Sequence, residues 1–88
     1  MVVLRWRWQS NIFMSKLPSV KAKDLVKALC RNYFYIHHTK GSHVHLLHEF
    51  KTYMRVVVPI HGKELAPKTL KTILAQTEIS VEELKKML

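Results

Sequence analysis

Between Val20 and Arg31 the apolar residues Leu25, Val26, Ala28 and Leu29 recur at three- and four-residue intervals, with Asp24, Lys27 and Arg31 between them. That spacing predicts a helix with one buried face. Ser19 is placed to cap its start, and the helix is expected to stop near Asn32. Tyr33-Phe34-Tyr35-Ile36-His37 is aromatic and β-branched, hence strand-like, and Thr39-Lys40-Gly41-Ser42 reads as a turn in which Gly41 can take positive φ. In His43-Val44-His45-Leu46-Leu47-His48 strict alternation puts Val44 and Leu46 on one face of a strand, His43 and His45 on the other. Residues 49–52 connect it to a third strand, Tyr53 to Val58, ended by Pro59. A loop from Ile60 to Leu65 leads to a second helix from Pro67 to Gln76, with Leu70, Ile73 and Leu74 as its buried stripe and Lys68 and Lys71 outside. Finally, Ser80-Val81-Glu82-Glu83 has the form of a capping box opening a short helix to Leu88.

The order α-β-β-β-α predicts an α+β fold: a three-stranded antiparallel sheet with both helices on one face and a short extra helix at the C-terminus. This is the layout of double-stranded-RNA-binding domains, in which the second sheet face stays open. The length of 88 residues allows one small domain. Residues 1–13 differ in character, because Leu4-Arg5-Trp6-Arg7-Trp8 alternates apolar and basic residues and Met14-Ser15-Lys16-Leu17-Pro18 reads like a second translation start. They are expected to be a disordered extension or a mis-assigned start, and 14–88 the domain.

Charge narrows the choice of partner. Fifteen Lys and Arg against six Asp and Glu leave a net charge of +9, spread along the chain, which favours a polyanion such as RNA. No apolar run approaches the roughly 20 residues that cross a bilayer, and no secretory signal is recognisable. The expectation is a cytoplasmic protein that binds no membrane. The single cysteine, Cys30, excludes an internal disulfide framework and, lying among apolar helix residues, is expected to be a buried thiol.

All six histidines fall between His37 and His61. His43 and His45 have a workable two-ligand spacing for a metal, but Glu49 is the one carboxylate in the stretch, so no metal site is expected. As an acid–base group His43 is better placed, following a glycine turn and opening a strand. Ser42 would orient a phosphate or form a local turn bond, and Lys40 would offset the charge that develops on the phosphate. Cleavage of RNA needs a base for the 2′-OH, an acid for the 5′-oxygen and cations on the phosphate; it needs no cofactor. Tyr33 and Tyr35 are expected to pack or meet a partner, with base stacking the less favoured use. His37 and His38 are expected at a strand end, His61 is either a loop anchor or a phosphate neighbour, and Lys68 and Lys71 either contact an RNA backbone or are simply solvated.

Several of these segments, taken in order, resemble the HicA toxin family of mRNA interferases. They are Lys23-Asp24-Leu25-Val26-Lys27-Ala28-Leu29, the turn Lys40-Gly41-Ser42-His43, Val57-Val58-Pro59-Ile60-His61-Gly62-Lys63-Glu64-Leu65, and Lys68-Thr69-Leu70-Lys71-Thr72-Ile73-Leu74. The resemblance covers about Met14 to Leu84. It implies a ribonuclease toxin that cuts mRNA, a cognate HicB-like antitoxin that neutralises it, and His43 as the catalytic histidine. Lys40, Ser42, His45, Lys68 and Lys71 are then the RNA- or phosphate-contacting candidates. The alternative is a non-catalytic RNA-binding module, or an inactive homologue retained for partner binding.

Two positions depart from the family pattern. Many members have glycine where this chain has Tyr33, which implies a differently built end to the first helix. Many also have a basic residue where this chain has His45. A neutral His45 would attract phosphate less; a protonated one would restore the charge or serve as the acid.

Overall fold

The computed structural model describes residues 16–88; the segment 1–13, read above as an extension, lies outside the described residues. Helix α1 (Ala22–Cys30) is followed by strands β1 (Phe34–Lys40), β2 (His43–His48) and β3 (Arg55–Pro59), then by α2 (Pro67–Thr77) and α3 (Val81–Met87). The strands form one antiparallel sheet in the order β1-β2-β3. Phe34, Val44, Leu46, Val56 and Val58 are all buried, and they join Leu25 and Leu29 of α1, Leu70, Ile73 and Leu74 of α2, and Val81 and Leu84 of α3 in one core. Every buried strand residue therefore points to the same side, where the helices lie. The opposite face of the sheet is left open, as the alternation of β2 predicts. At ~1.5–3 kcal/mol for each fully buried aliphatic side chain, this single core is what holds so short a chain together.

Long-range pairing moves the start of α1. Lys21, not Ser19, is its N-cap, and no side chain caps it. Lys21 forms a β-bridge with Glu64, and the Leu65 N–H donates to the Val20 carbonyl at 2.9 Å. The backbone of 20–21 is thus committed to the segment entering α2, and extended residues stand where a capped first turn was expected. Cys30 is exposed, not buried: it is one residue past Leu29, on the solvent side of the helix. The C-terminal capping box is present as expected, with Ser80 Oγ accepting from the Glu83 N–H at 3.0 Å and Glu83 Oε1 accepting from the Ser80 N–H at 2.9 Å.

Tyr33 is not a strand residue. It closes the turn after α1 with φ +73°, a left-handed backbone that costs a residue bearing a Cβ roughly 1–2 kcal/mol. Its carbonyl accepts from the Glu49 N–H at 2.8 Å, which ties the entrance of β1 to the exit of β2. The turn keeps the conformation a glycine would take, and tyrosine occupies it at a strain. Tyr33→Gly is therefore expected to stabilise the domain by about 1 kcal/mol. In thermal unfolding that is a rise of roughly 4–8 °C in Tm; an unchanged or lower Tm would mean that the ring contributes more than the backbone costs.

Beyond Ile36 the β1–β2 register slips by one residue. Ile36 pairs with Leu46, but His38 pairs with His45, so two residues of β1 match one step of β2 and His37 is the extra residue of a bulge. Before the slip Phe34 faces the core. After it, His38 and Lys40 are on the open face, where an unbroken strand would have turned them toward the helices. The strand also runs three residues further than the aromatic segment suggested, through Lys40. Only Gly41 and Ser42 remain in the hairpin loop. Gly41 has φ +58° and Ser42 has no positive φ, the sign pattern of a II′ turn.

Candidate active site on the open sheet face

Three rows of side chains cross the open face. Lys40, His43 and Pro59 form the row next to the hairpin; His38, His45 and Val57 form the next; Tyr35, Leu47 and Arg55 form the third. Four of the residues singled out in the sequence are thus brought together, with Lys40 directly opposite His43, Ser42 adjoining it in the turn and His45 two residues along the same strand face. Lys68 and Lys71 are exposed on α2, in the layer behind the sheet, and are not part of this group.

The turn is held from the far edge as well. The Ile60 N–H donates to the Ser42 carbonyl at 2.5 Å, so the Gly-Ser-His turn and the Val-Pro-Ile-His-Gly segment meet in space. His61 follows this contact and is exposed. Gly41 has no atom within 4 Å of where a Cβ would be, so only its positive φ demands glycine. Gly41→Ala is accordingly expected to lower stability by about 1–2 kcal/mol through backbone strain, with no clash. A chemical denaturation curve that shifts by much more would place the glycine under a steric constraint.

His45 is the electrostatic centre of the face. Its partly buried ring is held below the ordinary imidazole value first by desolvation and then by the positive charges of His38, Arg55, His43 and Lys40. Its neighbour across the strand, His38, stacks on it with ring centroids 4.2 Å apart and planes within 15°. The Nδ1 atoms of His37 and His38 are 2.8 Å apart, one ring giving an N–H and the other its lone pair, so the bulge residue orients the stacked one. Stacked imidazoles direct their lone pairs side by side and not at a common point. Among the described residues no three His, Cys, Asp or Glu side chains group as metal ligands. In its neutral form His45 can accept a proton, while the exposed His43 next to it can give one.

Sequence reading missed His38 and Arg55 as members of this face. Arg55 was recoverable, because strict alternation along the third strand separates it from Val56 and Val58. His38 was not, since its side depends on a bulge with no local signature. His48 proves to be an anchor: its Nδ1 accepts from the Phe50 and Lys51 N–H groups at 3.1 and 3.0 Å and closes the turn after β2. Tyr33 and Tyr35, expected to pack or meet a partner, are 59% and 42% exposed; the Tyr33 ring lies edge-on to Phe50 at 5.4 Å between centroids, and Tyr35 stands open for a partner.

Comparison with known proteins places a family on this geometry. A family model described as the HicA toxin of bacterial toxin–antitoxin matches residues 22–79, which begin with α1 and end two residues past α2. No curated protein matches the chain. No helix among the described residues is long and apolar enough to cross a membrane.

Proposed function

The chain belongs to the HicA toxin family, the toxin half of a toxin–antitoxin pair, and on that premise we propose that it is an endoribonuclease that cuts mRNA in the cytoplasm with imidazole groups and without a metal. The observation that carries this reading is the placement of His43 and His45 on one exposed strand face, bordered by Lys40, Ser42, His38 and Arg55. Two residues along a strand separate the histidines by ~6.8 Å. A phosphodiester fits between two side chains at that spacing, its attacking and leaving oxygens each within one hydrogen bond of a ring.

The division of labour follows from the surroundings of each ring. Neutral His45 takes the proton of the ribose 2′-OH, and the 2′-oxygen attacks phosphorus. The bond from phosphorus to the 5′-oxygen breaks as that oxygen takes a proton from His43. The products are a 2′,3′-cyclic phosphate and a 5′-hydroxyl. Lys40 offsets the charge that develops on the phosphoryl oxygens, and the Ser42 hydroxyl donates to one of them. Lys68 and Lys71, on the other layer, serve at most the RNA backbone beyond the scissile phosphate.

Purified protein incubated with single-stranded RNA in EDTA tests the chemistry: cleavage leaving cyclic phosphate ends supports it, and intact RNA refutes it. In cells, induced expression is expected to arrest growth, and co-expression of the neighbouring open reading frame, as the proposed antitoxin, to relieve the arrest.

A further inference from the structure

Cleavage accounts for two of the three rows on the open face; of the third, Tyr35-Leu47-Arg55, it uses the charge of Arg55 on His45 and leaves Tyr35 without a role. Tyr35 is 42% exposed on an open sheet face, beside a leucine and a guanidinium. None of the nine residues in the three rows is acidic. An exposed tyrosine bordered by cations on a sheet surface suits one class of ligand, a single strand whose bases are free to stack while phosphates meet the cations. A duplex does not suit it, because its bases are already stacked on each other. The third row also continues directly from the histidine rows: Leu47 is four residues from His43 along β2, or ~14 Å, a span of a few nucleotides.

We propose that the open sheet face is a track for single-stranded RNA, with one base stacked on Tyr35, a neighbouring phosphate on Arg55, and the scissile phosphate at His43. This rests on the ribonuclease reading and adds to it a binding site for the strand beside the scissile phosphate. Tyr35 is then a substrate-binding residue that positions the strand for cleavage.

The test begins with an RNA that the wild-type protein cleaves at a mapped position. That RNA is then made resistant by a 2′-deoxy sugar at the scissile nucleotide, and one abasic residue is walked along it while binding is followed by fluorescence anisotropy. Wild-type protein is expected to lose roughly 5- to 100-fold in affinity when the abasic residue occupies one position a few nucleotides from the cut. Tyr35→Ala should lose a similar factor with the intact RNA and be indifferent to the abasic residue, whereas Tyr35→Phe should behave as wild type. With cleavable RNA, Tyr35→Ala should raise KM more than it lowers kcat. Equal binding by wild type and Tyr35→Ala, or indifference of the wild type to every abasic position, would overturn the proposal while leaving cleavage intact. Unimpaired RNA binding by Tyr35→Ala together with escape from the antitoxin would overturn it too, and assign the row to the protein partner. Failure of the wild type to cut any RNA would remove the ribonuclease reading and this inference with it.

Discussion

Replacing His43 by alanine is expected to slow RNA cleavage by ~10²–10⁴-fold, the usual worth of a positioned proton donor or acceptor, while leaving the fold intact. His43 is exposed at the first position of β2, opposite Lys40 and Pro59, and contributes nothing to the core. Loss of activity with an unchanged Tm and circular dichroism spectrum would therefore report chemistry and not unfolding. A substrate with sulfur in place of the leaving 5′-oxygen separates the two proton transfers, because a thiolate leaves without help from an acid. On that substrate His43→Ala should recover most of its rate, and His45→Ala should not. Recovery by the His45 variant alone would exchange the two roles. Equal cleavage of ordinary RNA by wild type and His43→Ala would mean that the activity resides elsewhere or in a contaminant.

His45→Lys should cost a comparable factor near neutral pH and change the shape of the pH–rate profile. As the proposed base, His45 works only when unprotonated, so the rate must rise with pH as it loses its proton. Desolvation, followed by the charges of His38, Arg55, His43 and Lys40, favours the neutral ring, which sets the rising limb below the ordinary imidazole value of ~6.5. His38 and Lys40 act from β1, His43 from the same strand and Arg55 from β3. A lysine at position 45 is protonated throughout this range and cannot take the 2′-OH proton, although it would attract phosphate more strongly. The expected signature is tighter RNA binding, lower kcat and loss of the low-pH limb. An identical profile for His45→Lys would show that position 45 provides charge and no proton transfer. Removing one of the charges without adding apolar bulk, as in His38→Asn, should move the rising limb upward toward the ordinary value.

The strain at Tyr33 bears on how the family pattern is read. A glycine-to-tyrosine departure suggested a rebuilt helix end, yet the backbone keeps the left-handed turn and carries the cost. The Glu49 N–H bound to the Tyr33 carbonyl helps explain why: the turn fixes how β1 enters the sheet, and a relaxed conformation would displace Phe34 from the core.

Local chemistry determined much of this protein. The period of residues 22–30, the alternation through Val44 and Leu46, the proline opening α2 and the Ser80–Glu83 capping box each involve neighbours within a few positions. Their signals are carried by neighbouring residues, although the core supplies the stability, so the α-β-β-β-α order and the open face bearing His43 and His45 were legible in the sequence. Features set by pairing between distant segments were not. Ser19 has the chemistry of a cap, but the bridge from Lys21 to Glu64 takes the backbone that would have used it. The bulge at His37 carries no composition of its own; it follows from fitting β1 against β2, and it alone turns His38 onto His45. The contact from Ile60 to the Ser42 carbonyl likewise joins two motifs that lie apart in the chain. Sequence by itself named the proposed catalytic histidine and its turn. Tertiary structure decided which groups surround it, because strand register is a long-range choice in which one residue of slip exchanges the two faces of a sheet.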